Sequence, residues 1–158
     1  MPGLKSPANG GSGMRRVFVD ANVLIAGAHS RSGASRAVLM LAEVGLFRLV
    51  VSRQVLDEVE RNIRAKLPGA MVVFVEILAL LELEIVDDPT RAEWEPLLEV
   101  IEEKDAPILA AAVSAKVDRF ITLNTKDFST DAAARSGLTI QTPSIFIEEI
   151  RRIVTASM

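Results

Sequence analysis

The sequence predicts a single three-layer α/β/α domain of Rossmann-like character, with a central, mainly parallel sheet. Three observations carry that prediction. Short apolar runs alternate along the chain with segments of helical periodicity, the pattern of parallel strands covered by helices on both faces. The first run, Val17, Phe18 and Val19, lacks polar alternation, as a strand buried on both faces requires. With 158 residues, 49% hydrophobic and 25% charged, the chain can build one sizeable core and demands no second domain.

In chain order, residues 1–13, "MPGLKSPANGGSG", are small and polar where a signal peptide would be apolar, and are expected to be a flexible leader or linker before a domain spanning 14–158. A strand is expected at 16–20 and helices at 22–28 and 33–45. "FRLVVS" supplies a strand at 47–52. The helix at 53–66 follows from its stripe of Val55, Leu56, Val59 and Ile63, and "LPG" at 67–69 interrupts the helical pattern. "GAMVVFVEILALL" (69–81) suggests a helix at 70–82. It is shorter than the roughly 20 residues that cross a bilayer and is broken by Glu76, so no membrane partner is expected. Burial within the monomer is the expectation for it, although Met71, Phe74, Val75, Leu78 and Leu81 exceed one core-facing stripe and would also suit a homodimer or a protein partner. A strand at 84–87 stops at "DDP", helices follow at 91–103 and 105–116, and "RFITL" gives a strand at 119–123. A helix at 129–135 ends at "SG", before a strand at 138–141 and a helix at 143–154.

The absence of cysteine removes disulfides, thiolate metal sites and cysteine nucleophiles, and suits a reducing cytoplasm. A net charge of -3 provides no general basic footprint, so any polyanion would need local help. Arg31 and Arg36 in "HSRSGASR", with Arg53, Arg61, Arg64 and Lys66, are candidates for a phosphate track or for ordinary surface charge. His29, alone in a polar loop, reads as exposed, and Trp94 as a packing anchor. Phosphate-loop and dinucleotide motifs are missing, and no strand-to-helix nucleophile turn accompanies His29.

In a parallel sheet, ligands collect beyond the carboxyl ends of the strands, so polar residues directly after apolar runs are the ones to inspect. Asp20 and Asn22 follow the first strand. Asp57, Glu58 and Glu60 lie on the helix after the second. Asp105 opens an apolar helix, and Asn124 and Asp127 follow the fourth strand. Helix capping explains Asp20 or Asn22, and Asp105 before Pro107, one at a time; a turn explains Asp127. Glu58 and Glu60 flank the buried stripe of their helix on opposite sides, and the periodicity does not choose between them. Capping gives no reason for acids at the ends of several convergent strands. Such a cluster needs a counter-charge, and hard divalent cations with oxygen ligands supply one.

These motifs resemble the PIN-domain endoribonucleases, in particular the VapC-like toxins of bacterial toxin–antitoxin pairs, over Met14 to about Ile153. "VFVDANVLIAG" looks like the family's opening strand and first metal-binding aspartate, at Asp20. "SRQVLDEVERNI" is similar to the glutamate-bearing segment, matching Glu58 rather than Glu60. "EEKDAPILAAAVSAKVDRFITLNTKDF" matches the third acid at Asp105 and the final block at Thr122, Asn124 and Asp127. The resemblance implies a PIN-like fold and a catalytic metal cage of Asp20, Glu58, Asp105 and Asp127 holding one or two Mg2+ or Mn2+ ions. Asn22, Thr122 and Asn124 would orient ligands or water. It also implies cleavage of single-stranded RNA to leave a 5′-phosphate, with an antitoxin as a further partner. The charge pattern, separately, makes Arg31, Arg36 and Arg53 the residues expected to bind RNA; the lack of cysteine suits a cytoplasmic location, and the apolar helix at 70–82 a homodimer. Where many relatives carry aspartate, Asn124 stands here, so a second metal depends on Asp127. Glu102, three residues before Asp105, reads as an outer ligand or a solvated glutamate, and the second reading is adopted. Other readings are a non-catalytic PIN-fold module that binds RNA or protein, and a phosphoryl-transfer enzyme with Asp20 as nucleophile, which would usually want a second acid where Asn22 stands.

Overall fold

Valine, phenylalanine and isoleucine in short runs form a five-stranded sheet in the computed structural model, which describes residues 16–158. The expected leader at 1–13 lies outside the described residues. The strands are β1 (Arg16–Val19), β2 (Arg48–Ser52), β3 (Glu84–Val86), β4 (Arg119–Ile121) and β5 (Ile140–Gln141), in the order β3-β2-β1-β4-β5. Every pairing is parallel. The chain builds outward from β1 to β3, then returns to lay β4 on the other side of β1. The carboxyl ends of β1 and β4 therefore lie side by side at the topological switch, the place where open α/β sheets gather ligands.

Helices α1 (Ala21–His29), α2 (Ala34–Glu43), α3 (Arg53–Lys66), α4 (Met71–Leu80) and α8 (Pro143–Ser157) form one contacting group; α5 (Arg91–Trp94), α6 (Ala106–Ala115) and α7 (Thr130–Ser136) form the other. Right-handed crossovers put these groups on opposite faces of a parallel sheet, giving the expected three layers. Phe18 and Phe120, register partners on β1 and β4, stack with ring centroids 5.3 Å apart. Phe128 packs on Phe120 at 4.8 Å and so anchors the loop that carries Asp127. Gly137, at φ +76°, ends α7 in the left-handed region that its missing Cβ makes accessible, as the "SG" signal implied.

Two expectations are corrected. The helix expected at 91–103 is the short α5 followed by a 3-10 turn, Glu95–Glu99. Pro96 explains the break: it lacks an amide proton, and its ring clashes in a helix interior. The single tryptophan at this break, Trp94, is half-buried beneath the Arg91 guanidinium, 5.0 Å from its ring centroid. The apolar helix α4 is not buried by the monomer: Phe74 is buried, but Val72, Val75 and Leu80 are 67%, 55% and 59% exposed.

Helix α3 starts where β2 ends. Ser52, fully buried, caps it by accepting from the Val55 amide at 3.3 Å, and Asp88 accepts from the Gln54 amide at 2.9 Å. Because this cap fixes the helix carrying Glu58, Ser52→Ala is expected to lower stability by about 1 kcal/mol, read as a shifted urea midpoint.

Candidate metal centre

The site is built from backbone that the sheet already holds. The Asp20 amide donates to the Ile121 carbonyl at 3.0 Å, tying the residue after β1 to β4. Asp20 is 5% exposed and caps α1, its Oδ1 accepting from the Ala21 amide at 2.8 Å. Its Oδ2 accepts from the Thr122 hydroxyl at 2.8 Å and from Asn22 Nδ2 at 3.3 Å. The capping reading of Asp20 is thus correct for one oxygen, while the other faces the switch point. Thr122, fully buried, also accepts from the Asn124 amide at 2.9 Å and from Asn22 Nδ2 at 3.4 Å. Asn22 Oδ1 accepts from the Leu123 amide at 3.0 Å. One hydroxyl and one amide side chain therefore lock the ends of β1 and β4 together.

Asp105 occupies the N-cap position of α6, yet its side chain makes no capping bond. It is 8% exposed, and its Oδ2 is buried without a hydrogen-bond partner. Capping therefore does not account for this carboxylate. In the loop after β4, Asn124 makes the turn: its Oδ1 accepts from the Asp127 amide at 3.2 Å, and its Nδ2 donates to Asp127 Oδ2 at 3.0 Å. Asp127 is thereby held with its carboxylate directed at neighbours, rather than bonding its own backbone.

Of the expected cage, Asp105 and Asp127 come together with Glu102, one carboxylate oxygen of each lying within 4.8 Å of the others, a spacing that suits a shared cation; Asp20 and Glu58 are not in this group. Glu102, read from sequence as a solvated glutamate, has a largely exposed side chain that nevertheless joins this group. Glu58 is half-buried and senses the charge of Asp20, whereas Glu60 is exposed and paired with Arg64 at 2.5 Å. Tertiary packing thus separates two acids that helical periodicity leaves equivalent.

The electrostatics are those of crowded, desolvated acids. Burial pushes the Asp105 carboxyl up to about 6; the nearby Asp127 and Asp20 charges add to the shift, and Lys104 opposes it. Burial also raises Asp20, against the hydrogen bonds from Thr122, Ala21 and Asn22. Glu58 is raised by burial and then by the Asp20 charge. Asp127 is lowered, first by its Asn124 hydrogen bond. Lys104, which sequence reasoning passed over, lies 3.7 Å from Asp127 Oδ2 and 3.9 Å from Glu102 Oε1. Its only signal in the sequence is its place inside "EEKDAP", where one cation interrupts a run of acids.

Of the arginines expected at RNA, Arg31 and Arg53 are exposed. Arg36 is half-buried and turned onto the last turn of α1, donating through Nε to the Gly27 carbonyl and through Nη2 to the Ala28 carbonyl at 3.5 Å. That position supports α1 at its C-terminus.

A donor set of carboxylates, one of them buried with a partnerless oxygen, fits a hard divalent ion. Comparison with known proteins agrees with the fold. No curated protein matches the chain significantly. Solved structures do match. A chain of VapBC from Salmonella typhimurium bound to DNA is 19% identical with a TM-score of 0.62, covering 82% of this chain and 99% of its own. A chain of VapBC2 from Rickettsia felis bound to a DNA fragment from their promoter is 18% identical with a TM-score of 0.60, covering 80% and 98%. PAE2754 from Pyrobaculum aerophilum is 16% identical with a TM-score of 0.52, covering 87% and 92%. The PIN-domain family profile matches residues 16–126, from the first residue of β1 to the loop bearing Asp127, and the chain belongs to the PIN-domain family.

Proposed function

We propose that this protein is a metal-dependent endoribonuclease that hydrolyses phosphodiester bonds of single-stranded RNA, and that it acts as the toxin of a toxin–antitoxin pair. The observation that carries the reading is the partnerless, buried Oδ2 of Asp105 in a cluster of acids at the switch point of the sheet. Asp20, Glu58, Asp105 and Asp127 hold Mg2+ or Mn2+, with Glu102 at the rim. A cation bound there supplies Lewis acidity and an activated water. The chain's own part is positional. Thr122 and Asn22 fix Asp20 Oδ2, and Asn124 fixes Asp127 Oδ2. Arg31 and Arg53 meet the phosphates of the RNA, and Arg36 supports α1 beside them. Likeness to chains of VapBC complexes supports an antitoxin partner, and the exposed Val72, Val75 and Leu80 of α4 offer an apolar surface for it or for a second copy. Among the described residues no helix is long and apolar enough to cross a membrane.

The test is cleavage of end-labelled single-stranded RNA by purified protein with MnCl2 or MgCl2. Fragments with 5′-phosphates are expected, with none formed after chelation by EDTA. A second reading is a non-catalytic module that binds RNA or protein, using the same exposed face of α4. Retention of RNA or a partner without metal-dependent cutting would establish that reading and end the first.

A further inference from the structure

Lys104 sits in the turn before α6, and its ammonium is shared between Asp127 at 3.7 Å and Glu102 at 3.9 Å. Those are two of the three carboxylates whose oxygens come together; the third, Asp105, has its Oδ2 buried and without a partner. The lysine therefore stands where a divalent cation would find its most exposed ligands. Its field lowers the proton affinity of Asp20, Glu58, Asp105 and Asp127 alike.

Backbone and side chain of Lys104 differ in freedom. The backbone is held: the Lys104 carbonyl accepts from Gln54 Nε2 at 3.4 Å, and the next residue's amide donates to the Glu102 carbonyl at 3.0 Å. The side chain is 69% exposed and can swing away without disturbing packing. A long, solvated ammonium is the kind of group that yields to a more highly charged ion.

We propose that Lys104 is a built-in competitor for the metal: its ammonium neutralises Glu102 and Asp127 while the site is metal-free, the ion must displace it, and it thereby sets the concentration at which the site fills. The inference rests on the metal-site reading above, and its test separates the two. Manganese binding is measured by isothermal titration of MnCl2 into the full chain, in wild type, Lys104→Met and Lys104→Arg. Displacement gives up the exposed ion pairs at 3.7 and 3.9 Å, and exposed pairs are weak, so Lys104→Met should bind Mn2+ about three- to tenfold more tightly. Lys104→Arg should keep the wild-type affinity, and the gain in the methionine variant should shrink in 1 M salt. If wild type binds Mn2+ and Lys104→Met binds it equally or more weakly, Lys104 is no competitor and the metal site stands. If none of the three proteins binds Mn2+, both the competitor and the metal site are wrong.

Discussion

Asp20→Asn is expected to reduce metal-dependent RNA cleavage by about 10^3-fold, equivalent to ~4 kcal/mol of transition-state stabilisation, while leaving a folded protein. The substitution keeps the shape of the side chain, so the bond from the Ala21 amide to the first oxygen is preserved. At the second oxygen the cost is specific. The Thr122 hydroxyl donates there and already accepts from the Asn124 amide and from Asn22 Nδ2, so an amide group at that point meets no free acceptor. Asn22 Nδ2 also donates to that oxygen, so two bonds are lost, at about 1 kcal/mol each, and removing a desolvated charge offsets much of that. Thermal melts of the variant should therefore stay close to wild type, whereas cleavage rates at saturating Mn2+ collapse. Activity within tenfold of wild type would remove Asp20 from the catalytic set.

Asp105→Asn should have the opposite effects on function and on stability. In metal-free protein the Asp105 carboxyl is raised from 3.8 to about 6, first by burial. The native state then holds a proton that the unfolded chain has released, so this contribution to stability is complete below about pH 4 and is lost as pH rises through about 6. At pH 7.5 the ionised side chain costs on the order of 1–2 kcal/mol, allowing for screening at the open side of the site. The neutral amide removes that cost and provides a donor beside Asp127. With EDTA present, the variant should melt about 3–6 °C above wild type at pH 7.5, and the two should converge near pH 4. Saturating Mn2+ should raise the wild-type midpoint and leave the variant's in place, reversing part of the difference. Equal melting temperatures at pH 7.5 without metal would mean that the buried carboxylate is not under strain.

Asp20 was legible in the sequence only as a member of a set: capping explains it alone, and it does cap α1, but capping gives no reason for acids at the ends of several convergent strands. The strands were legible as short apolar runs, and their ends moved by only a residue or two. The choice between Glu58 and Glu60 was not legible from the periodicity of the helix: both border the same stripe, and what separates them is burial and the nearby charge of Asp20, which only the folded chain brings within range. Lys104 escaped because an alternation of acids and a lysine reads as a solvated face, and only the turn before α6 folds it back onto Asp127. The break after Trp94 was written in Pro96, which the apolar pattern of Leu97, Leu98 and Ile101 obscured. Residues of α4 look like core because hydropathy records an affinity for burial and not the partner that satisfies it.

Strand β1 sits in the middle of the sheet although it is made first, and Asp20 meets Thr122 across a separation of 102 residues. Chains leave the ribosome amino end first, so Asp20 and Glu58 emerge well before the stretch from Asp105 to Asp127 has been translated. Under the ribonuclease reading proposed above, this order has a protective effect. On that reading the nascent polypeptide carries an incomplete cage past the very message that encodes it, until β4 docks and brings Thr122 against Asp20.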